Sequence, residues 1–302
     1  MKIKSIFSVR KWIAFFLESE YSKRLSDKTY LELKYYAFMG KRPNLKQPRT
    51  FNEKLQWLKL FDRKDIYTTM VDKAAAKQYV AGIIGEKYII PTLGVWDHFD
   101  DIDFDELPVQ FVLKCTHDSG GLVICLDRGK FDKEAARHKI EKSLKRDYFF
   151  LHREWPYKNV KPRIIAEQYM KDEETNELRD YKFFCFNGIV RAMFVATERQ
   201  KEGTEVKFDF YDADFQHLPI QQGHPNADVP IAKPRGFERM KALAEKLSAG
   251  IPHVRVDFYS VNGKVYFGEL TFSHFAGFVP FQPEKWDEVF GEWIILPNHS
   301  TN

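Results

Sequence analysis

Cysteine is scarce: the 302-residue chain has three, Cys115, Cys125 and Cys185, each inside an apolar, strand-like run. So odd and sparse a set is no disulfide framework, and it suits a reducing cytoplasm. Long apolar runs are missing too. The best, Trp12-Ile-Ala-Phe-Phe-Leu17, is far short of a membrane span and is followed by acids rather than a small-residue cleavage site. With Lys2, Lys4, Arg10 and Lys11 around it, this N-terminus reads either as a docked helix or as a segment resting on an anionic membrane surface, at the inner face of the membrane. Charge of one sign is also lacking. The 47 basic and 43 acidic residues leave a formal net charge of +4, too balanced to draw nucleic acid by bulk attraction. There is no internal repeat and no low-complexity segment. What remains is ordinary globular composition, 44% hydrophobic and an aromatic-rich 16% Phe, Trp and Tyr, enough for a buried core in one large or two to three small domains.

Residues 1–90 read as mainly helical. Asp27 to Met39 has apolar residues at helical spacing, Thr50-Phe-Asn-Glu53 opens a second helix with a capping-box pattern, and Val71 to Val80 reads as a third, with Lys73 and Lys77 on one face. From Pro91 the composition shifts toward strands. Phe111–Cys115 holds a lysine, a Thr-His-Asp-Ser-Gly-Gly121 loop follows, and Leu122–Leu126 is a second strand. A charged helix spans Phe131 to Asp147, and Arg163–Met170 is another strand. Tyr181–Phe186 and Ile189–Ala196 flank an Asn187-Gly188 turn, Lys207–Tyr211 adds a strand, and Gly236–Leu247 is a helix. The expected divisions are 1–90, 91–166 and 167–302.

His253 to Phe272 contains two runs rich in Val, Phe and Tyr joined at Asn262-Gly263, a strong hairpin signal. Turn length decides which side its charges take, because side chains alternate along a strand. A two-residue loop pairs Val261 with Lys264 and sends Asp257 and Glu269 to opposite faces. A three-residue loop with a left-handed Gly263 pairs Ser260 with Lys264 and groups Arg255, Asp257, Glu269 and Thr271 on one face. Val254, Val256, Phe258, Leu270 and Phe272 then form a core-like face, which selects the three-residue turn. Two carboxylates a diagonal apart repel unless something positive lies between them. Two readings are open: a magnesium ion, which takes carboxylates and nucleotide phosphates, or a solvated face with Arg and Glu paired across strands.

Elsewhere the same ambiguity recurs. Lys114, one strand away from Ser119, Gly120 and Gly121, supplies charge and backbone N–H groups to phosphates, or is an edge lysine beside an ordinary turn; the loop does not fit the Walker pattern. Glu167-Gln-Tyr-Met170 ends a strand between the two halves of the chain, where a carboxylate and backbone groups meet an adenine edge or simply water. Lys182 repeats the case of Lys114.

Their order is more telling. A helix lysine, a strand lysine before a glycine loop, a hinge glutamate, another strand lysine, then Arg-x-Asp and Glu-x-Thr in a late hairpin together resemble the ATP-grasp enzymes. Phe51-Asn-Glu-Lys-Leu-Gln-Trp57, Asp72-Lys73, Leu113-Lys-Cys-Thr-His-Asp-Ser-Gly-Gly121, Asp180-Tyr-Lys-Phe183 and Gly268-Glu-Leu-Thr271 resemble in particular the TupA-like branch, named for teichuronopeptide biosynthesis, over roughly residues 25 to 290. The resemblance implies an α+β, ATP-grasp fold: two α+β subdomains, 91–166 with the glycine-bearing loop and 167–302 with the hairpin, clamp ATP behind a helical N-terminal region. It implies Lys73, Lys114 and Lys182 on the phosphates beside Ser119, Gly120 and Gly121, and Glu167 and Tyr169 at the adenine. It further implies Asp257 and Glu269 on Mg2+, and Arg255 stabilising charge in phosphoryl transfer. Thr271 takes the third metal position, where the family usually has an asparagine; one hydroxyl is a poorer ligand than an amide oxygen, which bears on a second magnesium. The implied chemistry is carboxylate–amine ligation through an acyl phosphate, which needs no protein nucleophile. In the loop after the hairpin, Ser273, His274 and Gly277 are placed to face that intermediate, with His274 orienting or deprotonating the amine, or else simply packed. The implied partners are an amino acid or other amine and a uronic acid of a bacterial capsular or cell-wall glycan or its precursor. Arg191, Arg199, Lys201, Lys207 and Arg235 are cations available to an acidic glycan, none singled out. Two other classes stand beside this one: a glycosyltransferase, for which Asp212-Ala-Asp214 has metal-motif spacing in what reads as an exposed turn, and a nucleotide-binding protein without catalysis.

Overall fold

The computed structural model describes residues 9–175, 177–199 and 203–298. Lys2, Lys4 and Lys201 lie outside the described residues. Helix α1 (Val9–Leu17) is followed by α2 (Asp27–Met39), which takes the expected bounds because Ser26 accepts the Thr29 N–H at one end and Gly40 turns left-handed, at φ 77°, at the other. Helix α3 (Phe51–Phe61) opens on the expected capping box, with Thr50 and Glu53 each accepting the other's backbone N–H. The third predicted helix, Val71 to Val80, starts late: α4 (Ile66–Val71) ends on its first residue and α5 (Ala75–Ile84) begins only after a break. The cause is Asp72: its Oδ1 accepts the N–H groups of Ala74 at 2.8 Å and Ala75 at 3.2 Å and so caps a new helix start. Lys73 therefore stands in the break rather than on a helix face.

Two antiparallel sheets follow. The first has the order β1 (Thr92–Trp96), β4 (Ile164–Gln168), β2 (Phe111–Cys115), β3 (Leu122–Cys125). Phe111, Leu113, Cys115, Ile164 and Ala166 turn one face of it toward α6 (Lys133–Leu144), where Ala136 and Ile140 complete a core. The short helix α7 (Tyr148–His152) comes before β4. The second sheet has the order β10 (Lys264–Thr271), β9 (Val254–Val261), β5 (Asp180–Phe186), β6 (Ile189–Thr197), β7 (Lys207–Asp212), β8 (His217–Leu218). Phe183, Val254, Val256 and Phe258 face α8 (Phe237–Leu247) and the α4–α5 pair. Phe184, Phe186, Phe194 and Phe210 face α3 and α9 (Lys285–Trp293). Burying a side chain of this size contributes about 1.5–3 kcal/mol. These two aromatic layers fix the sheet against helices on both sides.

The β9–β10 hairpin corrects the expected turn. Val261 pairs with Lys264 across a two-residue Asn262-Gly263 loop, whose φ angles of 50° and 75° suit a type I′ turn. The predicted faces nevertheless hold, because Gly268 is an extra, unpaired residue: Phe267 lies opposite Phe258, and Glu269 opposite Asp257. A Cβ at 268 would stand 3.1 Å from the Asp257 carbonyl oxygen and 3.2 Å from the Tyr259 ring. A side chain there would press on the β9 backbone.

Candidate active site

Pairing across β5, β9 and β10 sets side chains in rows on one face of the second sheet. Lys182 lies opposite Asp257, and Asp257 opposite Glu269; the next row is Phe184, Arg255 and Thr271. Arg255 grips Asp257 with a fork, Nε to Oδ1 at 2.7 Å and Nη2 to Oδ2 at 2.8 Å. Its Nη2 also donates to Glu269 Oε1 at 3.2 Å and to Thr271 Oγ1 at 3.0 Å. Lys182 Nζ donates to Asp257 and lies 3.3 Å from Asp180. Asp257 is buried, whereas Glu269 keeps 43% of its side-chain surface open. Lys182, Arg255 and Lys73 around Glu269 hold its pKa below the usual carboxylate range. It is ionised at any working pH.

The first sheet presents its polar face to this row. Val112 pairs with Glu167 and Lys114 with Ile165, so Lys114 and Glu167 are diagonal neighbours. Glu167 bonds Lys114 with one oxygen and Lys77, at 2.6 Å, with the other. Lys77, expected beside Lys73, has this separate task. Lys73 donates its N–H to the Thr116 carbonyl at 3.0 Å and its Nζ to the Asp118 carbonyl. Burial lowers its pKa, against the pull of Glu269 and Asp118. In the loop, Gly120 has φ +117°, and a Cβ on Gly121 would collide with Ser143 Oγ and come within 2.9 Å of Cys115 Sγ. Between the sheets lies a cavity of about 170 Å³ lined by Lys73, Lys114, Ser119, Gly120, Gly121, Glu167, Lys182 and Glu269. Asp118, Asp180, Arg199 and Tyr259 complete its polar lining. Sequence reasoning left all four unassigned. Arg199, one of five unranked cations, is drawn in by an ion pair with Asp180.

A second cavity, of about 400 Å³, shares Asp118, Ser119 and Glu269 with the first. Arg255, Thr271 and Ser273 line it from the hairpin side. Opposite them stand Lys34 from α2, Tyr148 and His152 from α7, and Glu154 and Tyr157 from the turn after it. The sequence offers no local signal for this group, since α2 and α7 meet only through tertiary packing.

The remaining expected residues lie outside both linings. Asp257 lies beneath the first cavity, behind Lys182 and Arg255. Tyr169, half-buried just after β4, lines neither cavity. His274, expected to face a reacting amine, is instead buried among the rings of Phe184, Phe194 and Phe275 and lines neither cavity. Its Nδ1 accepts from Arg255 Nη1 at 2.7 Å, and burial, with Arg255 adding to it, pushes its pKa well below the usual range. It is neutral. Gly277 lines neither cavity and packs against Gln56 and Leu55 of α3. Asp212 closes a turn, its Oδ1 accepting the N–H groups of Asp214 and Gln216 at 2.9 and 2.8 Å, and neither aspartate lines either cavity.

Among the described residues no helix is long and apolar enough to cross a membrane. No curated protein matches the chain. Among solved structures it is similar to the D-alanine–D-alanine ligase from Bacillus anthracis complexed with ATP, with 15% identity, 68% of this chain and 54% of that one covered, and a TM-score of 0.38. The D-alanine–D-alanine ligase from Helicobacter pylori shows 13% identity, coverage of 81% and 69%, and a TM-score of 0.42. The biotin carboxylase domain of the Hydrogenobacter thermophilus 2-oxoglutarate carboxylase shows 16%, 68% and 40%, and 0.38. The chain thus spans about half the length of the first of these. A sequence profile describing TupA-like ATP-grasp proteins matches residues 53–295, well over half the chain, and the chain therefore belongs to the TupA-like ATP-grasp family.

Proposed function

We propose that the chain is an ATP-dependent carboxylate–amine ligase that joins an amino acid, through an amide, to a uronic acid of a bacterial capsular or cell-wall glycan or its precursor. The observation that carries the reading is the meeting of two cavities at Glu269, one ringed by lysines and a glycine loop and the other lined by mixed polar groups. In this reading the phosphates of ATP meet Lys73, Lys114, Lys182 and the backbone of Ser119 to Gly121, while Glu167 and Tyr169 lie toward the adenine. Arg199 joins the phosphate group.

Glu269, which keeps an exposed carboxylate where the two cavities meet, is the residue free to hold a magnesium ion, while Asp257 has both oxygens taken by Arg255 and Lys182 and would act behind it by fixing Arg255. Thr271, whose hydroxyl already accepts from Arg255, lines the second cavity with Glu269. When bound, magnesium supplies neutralisation of phosphate charge. Arg255, held by Asp257 and by neutral His274, presents a fixed cation to charge developing on the transferred phosphoryl group. The substrate carboxylate attacks the γ-phosphate to give an acyl phosphate, and the amine displaces phosphate from it. We place this reaction in the cytoplasm, with α1 docked on α2 through Leu17 and through Arg10, which donates to the Ala37 and Phe38 carbonyls.

The test is release of ADP and phosphate from ATP and magnesium, with uronic acids and amino acids varied in pairs, beside an Asp257→Asn/Glu269→Gln double variant. Release that needs both a carboxylate and an amine, and is absent from the variant, is the expected result. Consumption of a sugar nucleotide without ADP formation would replace this reading with a glycosyl transfer.

A further inference from the structure

Glu154 is 5% exposed and lines the second cavity, yet its carboxylate has no hydrogen-bond or ion-pair partner among the described residues. Its nearest cations are otherwise engaged. Lys59 donates to Gln56 Oε1 at 3.0 Å, to the His152 carbonyl at 3.1 Å and to the Ala276 carbonyl at 2.7 Å. Lys34 donates to the Leu151 carbonyl and, at 3.3 Å, to the Tyr30 hydroxyl, which leaves one of the three donors of its ammonium group for a ligand. A buried carboxylate without a partner is costly, and such groups persist where a ligand or a proton meets them.

We infer that Glu154 is the base that takes a proton from an ammonium nucleophile in the second cavity, and that the cavity accepts a zwitterionic amine, an amino acid whose carboxylate faces Lys34. The inference rests on the ligase reading above. The other groups facing Glu154 suit the role less well. Glu269 is held ionised by Lys182, Arg255 and Lys73, and Asp118 is bonded to Ser143 and lies 3.7 Å from Arg146. Burial keeps Tyr148 and Tyr157 protonated, as donors rather than bases. Burial, then Lys34 and Lys59, push His152 down to about 3, too weak a base to hold such a proton. For Glu154, burial drives the pKa up, against the pull of Lys59, Lys34 and Arg255 and with a smaller push from Glu269, and burial likewise lowers Lys59, against the pull of Glu154. A base so placed exchanges its proton near working pH.

The step balances. One ammonium proton passes to the Glu154 carboxylate, and the freed nitrogen lone pair forms the C–N bond at the acyl carbon. The bond from that carbon to the phosphate oxygen breaks with its electron pair on phosphate, which also takes the second proton shed by nitrogen. One proton stays on the amide.

Hydroxylamine is largely unprotonated at neutral pH and needs no such base, so it separates the two halves of the reaction. The full chain and its Glu154→Gln and Glu154→Asp variants are given ATP, magnesium, a panel of uronic acids, and either hydroxylamine or a panel of amino acids. In Glu154→Gln the amide rate should fall about 100-fold or more while hydroxamate formation stays within about threefold. Wild-type kcat/KM for the amino acid should rise with pH through a limb above the ordinary carboxylate range; Glu154→Asp should keep such a limb and Glu154→Gln should lack it. Equal loss of both products, an unchanged amide rate, or a wild-type profile flat across that limb overturns the assignment. A wild-type protein that makes neither product overturns the ligase reading, and this inference with it.

Discussion

Glu167 is shared by two lysines, and Glu167→Gln tests what that sharing is worth. The side chain is only 7% exposed, so solvent does little to screen it. Burial works to raise its pKa, but Lys114 and Lys77 outweigh burial and bring it to about 2, from an ordinary 4.5. At about 1.36 kcal/mol per pH unit, the ionised form gains ~3 kcal/mol on folding, to order of magnitude. Because the folded value lies below the unfolded one, this stabilisation is fully present above pH ~4.5 and fades as the pH falls toward 2. Wild type and Glu167→Gln should therefore differ by ~3 kcal/mol at neutral pH and by about half as much near pH 3. Urea unfolding followed by tryptophan fluorescence at several pH values reads the gap directly. A gap that stays constant between neutral pH and pH 3 would refute the argument, since a volume or hydrogen-bond effect of glutamine does not titrate. ATP affinity measured in the same samples should weaken as well, because Lys114 loses the carboxylate that holds it at the cavity wall.

Two further expectations concern glycines. Deleting Gly268 leaves every cross-strand pair from Val261–Lys264 to Arg255–Thr271 in step, so the variant should fold with little change in thermal midpoint. Deleting Val265 forces Phe267, 5% exposed, out of the core or rebuilds the turn, and should cost ~2–3 kcal/mol more by the same thermal scan; equal effects would mean that the bulge is not slack. Gly121→Ala should push the loop away from α6, raising KM for ATP and costing ~1–3 kcal/mol, whereas an unchanged KM would show that the loop does not position phosphates.

What could be read from the chain follows from which forces are local. Caps and alternation act within a few residues, so α2, the capping box of α3 and the strand bearing Lys114 took their expected places. Asp72 acts locally too, but its cap competes with a helical pattern that runs on through it, and the pattern alone did not reveal the break that frees Lys73. Glu154, Lys34 and Tyr148 share a cavity only because α2 packs beside α7, and no spacing along the chain reports that.

The hairpin is the instructive case, because the right face was reached by the wrong route. Asp257 and Glu269 can share a side only if the two strands carry a one-residue offset, and alternation in β9 and late β10 demands the offset without saying where it lies. It could sit in the turn or in the strand. The deciding signal is in β10 itself: the buried residues are Val265 and Phe267, then Leu270 and Phe272, a spacing of two, three and two. Parity changes at Gly268, the one residue there without a side chain to misplace. An extra residue in the turn would have moved Val265 and Phe267 to the polar side, so the core near the turn and the charged row beyond it can both be satisfied only by a bulge between them.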